Sequence, residues 1–224
     1  MSCIEGIPIY WINLDRSPER REIMEKELEG YEHKRVEAID CKDFTQDQIR
    51  YWNSKRKLKR KMYKYEIACA LSHLKAIREA YEDGCQYAII AEDDISTVLL
   101  PLIKKNLKEL IEEYPTLIQL SYLITENMKK NHIKEYKEGK FIHNRNFSCG
   151  VAYVIHRNYM EEVLAKDYIS VADDTVHNFI YSKKTHCSLL PYFIVNESES
   201  LLGHDTLNAH KRMRNWINLI KKNI

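Results

Sequence analysis

Apolar and polar positions along this chain follow two periods in turn, one near two residues and one near 3.6, and their order predicts an α/β fold. Ile7 to Ile12 is a short apolar run that predicts a strand, with Pro8 tolerable near its start. Asn13-Leu14-Asp15-Arg16 then leads into Ser17 and Pro18, an N-cap residue and a favoured first helical residue. A helix is expected from there to about Glu29, ended by Gly30; its third position is Arg20, so no full capping box forms. Arg35 to Asp40 alternates as a second strand and finishes on an acid. Tyr65 to Asp83 predicts a long helix closed by Gly84, with Ile67, Ala70, Leu71, Leu74, Ile77 and Tyr81 on one face. Tyr87-Ala88-Ile89-Ile90-Ala91 is apolar throughout and β-branched at its centre, which suits a strand buried on both faces of a mostly parallel sheet. It ends abruptly in Glu92-Asp93-Asp94.

Beyond the acids, Pro101 opens a further helix with an apolar stripe of Leu102, Ile103, Leu107, Leu110, Ile111 and Tyr114. Thr116 to Ser121 predicts a strand, and Lys137-Glu138-Gly139-Lys140 a hairpin turn inside a polar stretch. Gly150 to Ile155 reads as a strand and Asn158 to Lys166 as a helix. Ser170-Val171-Ala172-Asp173-Asp174 sets a second acid pair ahead of a helix through Tyr181. Ser188 to Val195 is expected as a last strand, interrupted by Pro191 and therefore at an edge or a bulge. From about residue 206 a basic amphipathic helix closes the chain, with Leu207, Met213, Trp216, Ile217 and Ile220 on one side. With neither repeats nor a low-complexity linker, residues 1–224 are expected to form one domain.

Composition narrows the function. In a chain of 224 residues, 30% charged and 44% hydrophobic positions are ordinary for a soluble globular protein. The net charge of +2 gives no field that would indicate nucleic acid as a partner. The basic run from Asn53 to Lys61 is read as a solvated loop. Six cysteines without paired spacing suit reduced thiols, and no leader or spanning segment is evident, so a cytoplasmic location is expected. The basic C-terminal helix adds an expected peripheral contact with an anionic membrane.

The chemistry is expected at the acids. Ligands of open α/β sheets collect beyond the carboxyl ends of strands, where three adjacent carboxylates repel unless a cation compensates them. Hard divalent ions, Mn²⁺ or Mg²⁺, take such oxygens and bridge them to phosphates. If the strand stays extended through the triplet, Glu92 and Asp94 share a face and Asp93 points away. Glu66, Cys69 and His73 also invite a metal assignment, but their spacing spreads them over two helical turns, too far to meet one ion easily.

Several segments together resemble glycosyltransferase family 25, which includes lipooligosaccharide galactosyltransferases and collagen hydroxylysine galactosyltransferases. Ile9 to Arg21 is similar to the family's N-terminal signature, Tyr65 to Ile77 to its "GEIGCxLSHLxxW" helix, and Tyr87 to Asp94 to its "xxLxLEDD" strand. Weaker similarity continues through Ser148 to Ile155, Val171-Ala172-Asp173 (where the family shows Pro-Val-Asp) and Ser198-Glu199-Ser200. The resemblance implies a GT-A-like fold and metal-dependent, inverting transfer of a hexose, galactose first, from a UDP-sugar to a glycan or protein hydroxyl. It implies Glu92, Asp94 and His204 around Mn²⁺ or Mg²⁺, and Asn13, Asp15, Arg16, Arg20, Asp40, His73 and Glu92 around the nucleotide sugar. Asp173 aligns with the acid expected as general base, with Asp174 second. Two other readings stay open on the residues alone: a metal-dependent phosphodiester hydrolase using the same acids, and a binding module that has lost turnover. Donor sugar, acceptor, linkage and oligomeric state are not fixed by these patterns.

Overall fold

A computed structural model describes residues 6–97, 107, 111–112, 116–120 and 150–172, together with the backbone of three short strands at 142–143, 186–189 and 194–195. The described helices and strands run in the order β1 (Ile9–Asn13), α1 (Pro18–Glu27), β2 (His33–Glu37), α2 (Gln46–Ser54), α3 (Lys64–Glu82), β3 (Tyr87–Glu92), β4 (Ile95–Ser96), β5 (Leu117–Gln119), β6 (Ile142–His143), β7 (Ala152–His156), α4 (Arg157–Leu164), β8 (His186–Leu189) and β9 (Ile194–Val195). A single 3₁₀ turn, Cys41–Asp43, follows β2.

Seven strands form one mixed sheet in the order β2-β1-β3-β7-β5-β8-β6. β1 pairs in parallel with both β2 and β3, β7 runs antiparallel between β3 and β5, and β8 is parallel to β5. β6 is antiparallel to β8, so only β7 and β6 run against the rest, and the expected mixed, mostly parallel sheet flanked by helices is found. The chain moves from β1 outward to β2 and then returns to the opposite side of β1 with β3. That reversal opens a crevice at the carboxyl ends of β1 and β3, the usual ligand position in such sheets.

Burial explains the strand pattern. Tyr10, Ile12, Val36, Ala88 and Ile90 pack with Ala76, Ile77 and Ala80 of α3 and Tyr159, Met160 and Val163 of α4. Ile9 and Trp11, sent to the other face by the two-residue alternation, are equally buried, so both faces of β1 are covered. α3 lies against β1, β2, β3 and α4. Its buried residues are Ile67, Ala68, Ala70, Ser72, His73, Ala76, Ile77 and Ala80, a face rotated from the stripe expected on hydrophobicity. Small residues let the helix sit close to the sheet; Leu71 turns instead toward Met62 and Ile169, and Leu74 packs against both that cluster and the main core. Gly84 ends the helix with φ near +80°, as expected of it.

α3 is fixed at its carboxyl end and at its middle by polar contacts. At its carboxyl end the Tyr10 hydroxyl donates to Asp83 Oδ2 at 2.8 Å. Midway along it Ser72 Oγ donates to the Ala68 carbonyl at 2.8 Å and accepts the Ile39 N–H at 2.9 Å. Ser72→Ala leaves that backbone N–H without its acceptor and is expected to lower stability by about 1–2 kcal/mol. Urea unfolding checks this: the midpoint should fall while the slope stays constant.

Two local expectations change. Residues 46–54 form α2, capped by a full Thr45–Gln48 capping box, and the supposed basic loop begins on its last turn. There Asn53 is buried, its amide holding the Met62 carbonyl at 3.1 Å and its oxygen accepting the Met62 N–H at 2.8 Å. The expected strand from Ser188 to Val195 divides into two: β8 joins the main sheet, while β9 pairs antiparallel with β4, just after the acidic turn. Pro191 lies between the two in the sequence. The expected hairpin at 137–140, the helix after Asp174 and the C-terminal helix lie outside the described residues. Among the described residues no helix is long and apolar enough to cross a membrane.

Candidate active site

β3 ends at Glu92, and Asp93-Asp94 form a turn before β4. The extended parity expected for the triplet therefore stops at its first member, and Glu92 parts from the two aspartates, which share one guanidinium. Glu92 turns toward α3, where its Oε1 lies 3.3 Å from His73 Nε2. Asp93 is buried and accepts from Asn13 Nδ2 at 2.7 Å and Arg20 Nη1 at 2.5 Å. Asp94 Oδ2 is 3.3 Å from Arg20 Nη2, while its Oδ1 is buried and has no hydrogen-bond partner among the described residues.

One guanidinium thus serves two acids. Burial pushes Asp94 up to about 7; the Glu92 charge adds to that, and Arg20 opposes it. Burial raises Asp93 as well, against Arg20 and the Asn13 amide. A buried carboxylate oxygen without a donor, in a group of acids held by a single cation, fits a hard divalent ion. The residues at the acidic turn therefore suit the Mn²⁺ or Mg²⁺ expected there.

A cavity of about 250 Å³ opens beside the acids at the ends of β1, β2 and β3. Ile12, Leu14, Ala38 and Ile39 give it an apolar wall, and Arg16, Arg20, Asp40, His73, Glu92 and Asp93 give it polar groups. Arg16 Nε donates to Asp40 Oδ2 at 2.5 Å, and this pair sits half-exposed at the cavity. Burial tends to raise the Asp40 carboxyl, but the Lys42 N–H and Arg16 outweigh it and hold the group below the usual carboxylate range.

The residues expected around a nucleotide separate on inspection. Arg16, Arg20, Asp40, His73 and Glu92 line the cavity. Asn13 does not: it is buried behind the site, where it holds Asp93 and accepts Arg35 Nε at 3.0 Å. Asp15 is mostly exposed and pairs with Arg21 at 2.8 Å and Arg35 at 3.0 Å; it lines an adjoining pocket that shares Arg16 and Asp40 with this cavity. Arg20, expected to reach phosphate, directs its guanidinium to Asp93 and Asp94 instead. Asp173, Asp174 and His204 lie outside the described residues.

His73 is fully buried, with Nδ1 3.1 Å from the Tyr153 hydroxyl and its ring stacked on the tyrosine. The rejected Glu66-Cys69-His73 grouping fails for a further reason. Glu66 forks onto Arg60 at 2.5 and 2.8 Å and caps α3 through the Tyr63 N–H. The third donor comes from β3: Cys69, His73 and Glu92 offer ligand atoms all within 4.8 Å of one another. Helical spacing shows that Cys69 and His73 share a face, whereas only the fold brings Glu92 to them. Tyr153, from a strand more than fifty residues away in the chain, carries no local signal of its contact with His73.

Among protein families, the sequence model described as Glycosyltransferase family 25 (LPS biosynthesis protein) matches residues 6–197. No curated protein matches the chain. Among solved structures, the apo crystal structure of mouse xyloside xylosyltransferase 1 is similar, with a TM-score of 0.36 and 9% sequence identity, over 80% of this chain and 70% of that one.

Proposed function

The chain belongs to glycosyltransferase family 25, and on that premise we propose that it moves a hexose, galactose first, from a UDP-sugar to a hydroxyl of a glycan. The observation that carries this reading is the cavity at the β1–β3 crevice, apolar on one wall and bounded by Glu92 and Asp93 on the other. The uracil lies along Ile12, Leu14, Ala38 and Ile39, and Asp40 accepts a ribose hydroxyl. Arg16, paired with Asp40 through Nε, faces the diphosphate with the remaining donors of its guanidinium.

Glu92 and Asp94 would hold the divalent ion, with His204 completing the set. When bound, that ion supplies charge neutralisation for the departing diphosphate. Arg20 and Asn13 act on Asp93, keeping the turn closed so that Asp94 Oδ1 stays aimed away from its own neighbours. Asp173, or Asp174 beside it, takes the proton from the acceptor hydroxyl as the anomeric carbon is attacked from the opposite side. Transfer inverts the sugar. The apolar wall keeps water from competing with the acceptor.

Thermal-shift measurement across UDP, GDP and CMP, each with and without Mn²⁺, tests the donor class. UDP with Mn²⁺ should raise the melting temperature, and more as its concentration passes the dissociation constant. An equal response to all three nucleotides, or a response to CMP alone, would rule out the UDP-sugar reading.

A further inference from the structure

We propose that Cys69, His73 and Glu92 form a second cation site on the floor of the cavity, suited to Zn²⁺ and separate from the oxygen-rich position at Asp94. The donors are a thiol, an imidazole and a carboxylate, a set that favours zinc over Mg²⁺ or Mn²⁺. Cys69 and His73 are four residues apart on α3 and present their donors on one side of it. Glu92 approaches from the end of β3, with Oε1 3.3 Å from His73 Nε2. Ligand atoms around a tetrahedral zinc lie roughly 3.2–3.8 Å apart. That pair is already at this spacing, and the full set lies within 4.8 Å. Closing the set onto one ion takes a movement of its donor atoms by about 1 Å.

The histidine is oriented for the task. In the tautomer whose Nδ1–H donates to the Tyr153 hydroxyl, 3.1 Å away, Nε2 is the ring's acceptor and faces the other two donors. A fixed tautomer of this kind is the usual outer support of a metal-bound imidazole. All three residues line the cavity, so a fourth coordination position opens into it for water or a ligand. Binding removes the thiol proton, which the ion's charge compensates. Glu92 belongs to both cation sites, so zinc at this position withdraws it from the hard ion and narrows the nucleotide cavity. Zinc is then an inhibitor of transfer. That consequence rests on the donor reading above, but the site itself does not.

Co²⁺ titration of the whole apo chain provides the test, because a cobalt–thiolate bond gives a near-ultraviolet charge-transfer band whatever the enzyme's activity. One equivalent should produce the band in the wild type and in Asp94→Asn, and Zn²⁺ should bleach it. Cys69→Ser, which keeps the size of the side chain, should reduce the band at least tenfold. A parallel measurement needs no variant: one equivalent of Zn²⁺ should slow alkylation of Cys69 at least tenfold, read by peptide mass spectrometry, without equal protection of Cys41 or Cys85. No band at one equivalent, an undiminished band in Cys69→Ser, or uniform protection of the three thiols would overturn the proposal. None of these outcomes bears on UDP binding, so failure here and failure of the donor reading remain distinguishable.

Discussion

In Asp94→Asn protein the Mn²⁺-dependent rise in melting temperature with UDP is lost, and glycosyl transfer falls by about 10²–10³-fold, the scale of removing one preorganised electrostatic contact. The same substitution stabilises the protein when no cation is present. Asp94 has its carboxyl raised from 3.8 to about 7 by burial and by Glu92. A carboxyl raised on folding stays protonated in the native state while the unfolded chain has already ionised. Wild-type stability should therefore decline between about pH 4 and pH 7, and level off above. Asparagine cannot ionise and removes that slope. At pH 8 the variant should be more stable by roughly 2–4 kcal/mol, and at pH 4 the two should nearly coincide. Calorimetry across that range, in chelator, reads the difference. A wild-type curve that rises from pH 4 to pH 7, or runs parallel to that of the variant, would contradict the assignment.

Arg20→Met should be the most destabilising single change at the site. The arginine holds Asp93 Oδ1 at 2.5 Å and Asp94 Oδ2 at 3.3 Å, with its side chain only 13% exposed. Breaking a buried ion pair from one side leaves charge without compensation and costs about 3–5 kcal/mol. For a chain of this size that is a fall in melting temperature of roughly 10 °C or more. Adding Asp93→Asn should recover at least half of the loss, since the asparagine can still accept from Asn13. A double-mutant cycle by thermal unfolding measures the coupling. Independent, additive effects would show that the guanidinium is not what holds the two acids together.

The parts of this molecule that were legible in its sequence are those set by local pattern. The apolar run from Tyr87 to Ala91 is β3, the Ser17-Pro18 start and Gly30 bracket α1, and Gly84 closes α3 as its position suggests. What the pattern missed depended on partners remote in sequence. Hydrophobicity assigned Leu71 to the core face of α3, but closeness of approach favoured Ala76, Ala80 and Ser72 there. Strand parity was a sound rule for Glu92 and failed one residue later, where the chain turns. Glu66 was grouped with Cys69 and His73 because it is near in sequence, whereas Arg60 takes it and Glu92 replaces it. One miss was avoidable: Thr45 followed by Gln48 is a helix-start signal, and α2 begins there. At the site, Asn13 and Arg20 were chosen for a ligand because they follow β1; Asn13 stands behind the cavity on Asp93, while Arg20 lines the cavity and also holds the two acids.

The short β4–β9 ladder has a bearing on how the protein is made. Ile95 pairs with Val195 and Ser96 with Ile194, which fastens the chain immediately after Asp94 to a segment synthesised about a hundred residues later. On a ribosome, β1, α3 and β3 can dock before that segment has emerged, since their pairings close shorter loops. The acidic turn is clasped only afterward. Nascent chains thus carry an acidic turn without this ladder until residues 194–195 have emerged, and the arrangement of the site waits on that segment.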